Sequence, residues 1–398
     1  MMREAQHGTT LLEGVLGGLG RVLGPTDSFI PLHVPEFLGD EQVLVADCID
    51  TGWVSSVGRY VDEFESAVAA ACGTAYCVAV VNGTAALEVA MKVAGVLPGD
   101  EVLMPALTFV ATANAAHHLG AVPHFVDSAE NTLGLDPVAL TAHLRAIATT
   151  GLDGLVNRET GRRISCVMPM HAFGHPVDMI GLKAVADEFG LVIVEDAAES
   201  LGSSLNGRPL GSFGRVAAVS FNGNKIVTTG GGGAIITDDE ELARWAKHLT
   251  TTAKVPHQWA FEHDEIGYNY RLPNLNAALG VAQMAQLSER VEKKRLLAHR
   301  YIEEFAGFKG GTIFTERAGT RANYWLNTMV LAPDITEADR IALLEGLNAA
   351  GYMARPVWTP MHRLPFHADA PRAPLPVAED LERRIINLPS SAMLADRA

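Results

Sequence analysis

The sequence predicts an α/β protein, with a mostly parallel sheet in a large domain and a smaller α+β domain at the C-terminal end. From about residue 75, short apolar runs alternate with helical patterns, the signature of βαβ units whose sheet is covered on both faces. The pattern changes after residue 255, where aromatic and turn residues precede a long helical stretch. The composition, 48% apolar and 19% charged over 398 residues, supplies enough apolar side chains for a sizeable core.

In order, YCVAVV (76–81) reads as a strand, with a helix opening at Thr84. EVLM (101–104) is a strand broken by Pro105, and the helical FVATANAAHHLG follows. VPHFVD (122–127), ISCVMP (164–169) and LVIVED (191–196) repeat the strand pattern, with the helix-like IGLKAVADEFG between the last two. In EIGYNYRLPN, Pro273 and Asn274 are helix-start signals. One long helix is expected over NAALGVAQMAQLSERVEKKRLLAHRYIEEF, buried at its small apolar start and exposed at its charged end. A strand-like YWLNTMVLA, a helix ADRIALLEGLNAAG and a Pro-rich stretch at 356–376 complete the chain. The expected organisation is an N-terminal arm (1–35), a large domain (36–255) and an interface loop, long helix and small domain (256–398).

Within the arm, Leu12, Val15, Leu16, Leu19, Val22 and Leu23 fall at helical spacing. Glu13, Arg21 and repeated glycines interrupt this segment well short of the ~18 apolar residues of a membrane span. A soluble cytoplasmic protein is expected. The net charge of −15 argues against nucleic acid and anionic membranes as partners. Cys48, Cys72, Cys77 and Cys166 show no CxxC spacing and read as reduced thiols. No metal site is expected, because the 14 histidines include no HExxH or similar cluster.

Three segments carry chemistry. In VNGTAALEVA (81–90) a strand ends, Gly83 permits a tight turn and a helix opens. Amides at a helix start and the positive end of its dipole suit a phosphate, although an ordinary capped turn looks the same. In VEDAAES, four apolar residues put the Asp196 carboxylate at the end of a buried strand, where a charge needs a cation or donors. It either caps the next helix or serves as counter-ion to a protonated heteroaromatic nitrogen. In VAAVSFNGNKIVTTGGGGAIITD, a strand meets the turn NGN, then Lys225, then four glycines. Desolvation there favours the neutral amine, which can form an imine. A P-loop is not matched, since Ile226 stands where Ser or Thr should hold magnesium. A nicotinamide-binding GxGxxG after a first strand is also lacking.

With these three segments in this order, the chain resembles the fold type I, pyridoxal-phosphate-dependent sugar aminotransferases of the DegT/DnrJ/EryC1/StrS group. The resemblance runs from FIPLHVPEF at residue 29 to INLPSSAML near the end. It is densest in WVSSVG, NGTAALEVA, PALTFVATANA, EDAAES, SFNGNKIVTTGGGG and GYNYRLPNLNAALG. FIPLHVPEFLGDEQ, VSSVGRYVDEFE and TLGLDP look most like its LegC-type members, which act on 4-keto-6-deoxy N-acetylhexosamine nucleotides toward bacillosamine or legionaminic acid.

The resemblance implies a role for each matching residue. Lys225 matches the lysine bonded to pyridoxal phosphate, which also moves the proton between cofactor and sugar carbon. Asp196 matches the partner of the pyridine nitrogen. Glu199 stands where the family often has Gln or His near the cofactor's 3′-oxygen, a departure from the pattern. Phe109 matches the aromatic stacked on the ring, and Gly83, Thr84 and Ser220 match phosphate ligands. Asn269 and Arg271 match a loop that the neighbouring subunit contributes, which implies a homodimer with shared sites. Ser55, Ser56 and Val57 resemble a substrate-side loop, and His362 in PMHRLPFH matches a position reaching toward the nucleotide sugar. His117 and His118, on a helix, read as structural, while His171 and His175 flank a strand end. The implied reaction makes a 4-amino sugar nucleotide, with glutamate as the family's usual donor and pyridoxamine phosphate as the intermediate cofactor form. The competing classes are another fold type I enzyme and a catalytically silent regulator.

Overall fold

A computed structural model describes residues 2–24, 28–152 and 154–397; residues 1 and 25–27 of the expected arm lie outside these. Seven strands form the main sheet: β1 (Tyr76–Val80), β2 (Glu101–Pro105), β3 (Val122–Val126), β4 (Ile164–Val167), β5 (Val192–Asp196), β6 (Val216–Ser220) and β7 (Gly233–Thr237). Their order is β1-β7-β6-β5-β4-β2-β3. β3 through β6 pair in parallel along that order, whereas β7 runs antiparallel to both β1 and β6. The mostly parallel sheet read from the sequence is therefore present, with one reversed strand. A glycine-rich return after β6 replaces the helical crossover that a parallel neighbour would need.

Because β1, β2, β5 and β6 all point one way, their carboxyl ends share one edge of the sheet. Helices α2 (Glu41–Asp50), α3 (Arg59–Cys72), α4 (Gly83–Val93), α5 (Val110–His118), α6 (Pro137–Ile147), α7 (Met179–Phe189) and α8 (Glu240–Thr250) accompany this sheet. β2 is buried at every position, as expected for a central parallel strand.

The long helical pattern after Pro273 is two helices, α9 (Asn274–Ala285) and α10 (Leu287–Glu304). The break falls at Gln286 (ψ 0°), whose side-chain amide donates to Glu41 Oε1 at 2.7 Å and to the Ala282 carbonyl at 3.0 Å. In α9, a Cβ at Gly280 would lie 2.5 Å from the Phe64 ring, so glycine is what lets α9 cross α3 so closely.

The C-terminal unit holds a second, antiparallel sheet of β8 (Gly311–Ile313), β9 (Asn327–Leu331), β10 (Arg355–Pro356) and β11 (Ile385–Leu388), in the order β8-β9-β11-β10. α11 (Glu337–Ala349) and α12 (Pro376–Arg384) belong to it. The N-terminal helix α1 (Met2–Leu23) joins this unit rather than the main sheet. Its Leu11, Val15, Leu19, Val22 and Leu23 share one core with Tyr301, Leu343, Leu347 and Ile386. Among the described residues, no helix is long and apolar enough to cross a membrane. Leu19 is fully buried in that core, so Leu19→Ala should lower unfolding stability by about 2–5 kcal/mol. Chemical denaturation measures this, and an unchanged midpoint would show that α1 is not docked.

Candidate active site

A cavity of about 520 Å³ opens at the carboxyl edge of the main sheet, where the C-terminal unit closes over it. Asn82, Gly83 and Thr84 after β1, Phe109 after β2, Asp196 and Glu199 at and after β5, and Ser220 and Lys225 at and after β6 all line it. The four sequence segments are brought together because each follows a strand ending at the same edge.

At the first turn, Asn82 caps α4 by accepting the Ala85 amide at 2.8 Å. That leaves the Gly83 and Thr84 amides without intrahelical acceptors. A Cβ at Gly83 would sit 2.9 Å from Ser220 Cβ and 3.1 Å from its Oγ, so only glycine lets the serine hydroxyl share the helix start. Backbone amides, the Thr84 side chain and the Ser220 hydroxyl together form a cradle suited to an anion.

Asp196 is 3% exposed. Its Oδ2 accepts the Thr112 hydroxyl at 2.7 Å, and its Oδ1 accepts the Ala198 amide at 3.2 Å. Thr112 in turn lies 2.9 Å from Thr108. Burial pushes the Asp196 carboxyl up from its ordinary range, against the pull of those two donors. Both donors are neutral, so a cationic group reaching this carboxyl from the cavity would be strongly held.

Lys225 has a side chain 12% exposed, with Nζ 3.1 Å from Glu199 Oε1. The same nitrogen lies 3.8 Å from the centre of the Trp325 ring. Glu199 Oε2 accepts the Phe173 amide at 2.8 Å. Burial raises the Glu199 carboxyl above its usual range, while the Lys225 charge and the Phe173 amide draw it back. The lysine is desolvated as the sequence implied, but its two contacts are those of an ammonium. Phe109 stands at the opening, half exposed, its ring 6.4 Å from that of Trp358.

Other expected residues lie elsewhere. Asn269 and Arg271 border a separate, larger groove of about 680 Å³: Arg271 and Ser56 line it, and Asn269 bridges to Thr251 on its wall. Ser55 is tied to the same region by its carbonyl, which accepts the Asn274 amide at 2.6 Å. This groove is lined by neither Lys225 nor Asp196. His362, expected near the substrate, is outside the cavity. Its segment turns in a short 3₁₀ helix (Met361–Arg363), and its Nε2 meets Glu379 Oε1 on α12 at 3.0 Å. His171 is buried against Glu195 at 3.1 Å, and His175 between Phe314 and Tyr324, where burial holds its pKa down at about 3. The four cysteines are free thiols.

Sequence reasoning missed Thr112, Trp325, Trp358 and Arg355, which bond to Asp196 or line the cavity. Thr112 carried a readable signal, being one turn from Phe109 on a helix facing the strand ends. Trp325, Arg355 and Trp358 come from the C-terminal unit, and nothing local to them points back to this edge.

An anion cradle, a lysine amine and a buried carboxyl thus meet in one cavity. The chain belongs to the DegT/DnrJ/EryC1/StrS aminotransferase family, whose profile matches residues 37–398. It is 34% identical to the GDP-perosamine synthase of Vibrio cholerae, over 92% of this chain and 95% of that protein. It is 31% identical to the UDP-N-acetyl-3-dehydro-alpha-D-glucosamine 3-aminotransferase of Acidithiobacillus ferrooxidans, over 82% of each. The solved structure of S. venezuelae DesV, in complex with a ketimine intermediate, matches with a TM-score of 0.78 at 31% identity, over 89% of this chain and 90% of that one. The protein is thus a fold type I aminotransferase with pyridoxal phosphate as its cofactor.

Gly83→Ala tests the cradle. The new methyl group must displace Ser220, so cofactor retention on desalting should fall about tenfold or more while the fold persists. Unchanged retention would place the phosphate elsewhere.

Proposed function

We propose that this enzyme transfers an amino group from L-glutamate to the C4 ketone of a nucleotide-linked 4-keto-6-deoxy hexose, N-acetylated as in LegC-type substrates. The observation that carries this reading is the convergence of Lys225, Asp196 and the α4 cradle on one cavity closed by a second unit. Support for the C4 position comes from the motifs FIPLHVPEFLGDEQ, VSSVGRYVDEFE and TLGLDP.

When bound, pyridoxal phosphate supplies an electron sink for ionising the C–H bond next to the nitrogen. Asp196 keeps a proton on the ring nitrogen by its negative charge, and its burial makes that interaction strong. Gly83, Thr84 and Ser220 would hold the phosphate. Phe109 would pack against the ring. Lys225 would be the amine that bonds the cofactor between turnovers. When released, its amine removes the proton from the donor carbon and returns one to the sugar carbon, alternating between base and acid.

A homodimer completes the site in this account. Asn269, Arg271, Ser55 and Ser56 border a groove apart from their own cavity, where they would serve the partner's phosphate and substrate. Trp259, Phe261 and Ile266, each at least 75% exposed, would be covered by that partner. As a biosynthetic aminotransferase it would work in the cytoplasm.

Incubation with glutamate and a panel of keto-sugar nucleotides, read by mass spectrometry and NMR, tests the function. The 4-keto-6-deoxy N-acetylhexosamine nucleotide should gain its amine at C4, and Lys225→Ala should lower turnover by roughly 10³-fold or more. An amine at C3 would overturn the positional reading, and no amine on any sugar the whole function. Arg271→Ala should weaken cofactor retention in a protein that sediments as a dimer. A fully active monomer would refute the shared site.

A further inference from the structure

The turn carrying Lys225 meets an arrangement that its role as cofactor lysine does not by itself require. Trp325 is 5% exposed and serves the turn twice. Its ring face lies 3.8 Å from Lys225 Nζ, and its Nε1 donates to the Asn224 carbonyl at 2.8 Å. Its backbone is fixed from both sides: the amide donates to Asn323 Oδ1 at 2.7 Å, and the carbonyl accepts the buried Lys294 ammonium at 3.0 Å. Asn323, fully buried, also donates to the carbonyls of Glu199 and Leu201 at 2.9 Å each. The segment holding the ring is therefore bonded to the segment holding the carboxylate.

Two non-glycine residues at this place have left-handed backbone. Tyr324, next to Trp325, has φ 47°, and Phe173, whose amide bonds Glu199, has φ 56°. Each such residue is held at a cost of about 1–3 kcal/mol, and strain of this kind gathers where a geometry is functionally required. Here it aims an indole face and a carboxylate at one nitrogen from opposite units of the protein. The other titratable groups around this cavity and turn are Asp196 and Arg355 on the cavity wall and His33 beside the turn. Burial keeps His33 neutral, with Lys294, Lys225 and Arg290 acting in the same direction.

We propose that Glu199 and Trp325 form a docking cradle for the free ε-ammonium of Lys225, occupied between its proton transfers while the lysine is not bonded to the cofactor. Trp325 is then a positioning residue for the transfer reaction, and Glu199 supplies the cradle's charge. The inference rests on Lys225 being the cofactor-bonded lysine. A lysine released without a cradle would swing into a cavity of about 520 Å³ and have to be recaptured before each proton transfer.

The test uses full-length enzyme converted by glutamate to its pyridoxamine phosphate form, in which the lysine is free. Acylation of Lys225 by a small anhydride is followed by peptide mass at fixed pH. Trp325→Leu and Glu199→Gln should each speed acylation about fivefold to tenfold, the factor expected from losing a desolvated cation–π or charge contact. Trp325→Phe keeps the ring face and should restore slow labelling. In parallel, kcat should fall about tenfold in Trp325→Leu, with the glutamate KM within about twofold of the parent. Unchanged acylation in both Trp325→Leu and Glu199→Gln overturns the cradle. Borohydride treatment of the pyridoxal form separates the two readings: a cofactor mass on a peptide lacking Lys225 overturns the assignment of the lysine itself.

Discussion

A carboxyl withdrawn from water at the end of a central strand is the constraint on which the rest of this structure depends. Asp196 closes β5 with neutral donors on both oxygens, an arrangement stable as an anion only if a positive group completes it. Placing it demands a parallel strand buried on both faces, the helix after β2, two strands away, to offer Thr112, and a turn after β5 to offer the Ala198 amide. The rest of the large unit can be read as the means of holding that edge: α4 with its cradle and the Lys225 turn stand together on the β6 side of Asp196.

The second unit gives the cavity its far wall. Trp325, Arg355, Trp358 and Asn387 all reach it from that unit. The join is polar and ordered, with Asn323 bonding into the Glu199–Leu201 segment, while within the second unit Lys294 bonds Trp325 and Ser390. Burial brings the Lys294 ammonium down to about 7, so this tether is itself a desolvated lysine in a structural task. Two buried lysines thus divide the work. One faces the cavity and the chemistry, and the other secures the wall that the first leans on.

Much of this was legible in the sequence because strand ends announce themselves. Asp196 follows four apolar residues and Glu195, Lys225 sits in a turn after an apolar run, and Gly83 stands between a strand and a helix. Those local patterns fix the side chains to one edge once the strands are parallel. What stayed hidden depends on tertiary partners. The break at Gln286 is made by Glu41, some 245 residues distant, and helical periodicity runs straight through it. The reversal of β7 is invisible to a pattern that registers strands but not their direction. His362 matched a substrate-side position by resemblance, and only its 3₁₀ turn and Glu379 reveal that it faces α12. The Trp325 ring read simply as part of a strand-like run.

The most direct measurement of the central constraint is the ¹⁵N chemical shift of the ring nitrogen in enzyme loaded with ¹⁵N-labelled pyridoxal phosphate, above the pH at which the free cofactor loses that proton. A shift characteristic of the protonated nitrogen, lost in Asp196→Ala, is the expected result. A neutral nitrogen in the parent enzyme would contradict the account.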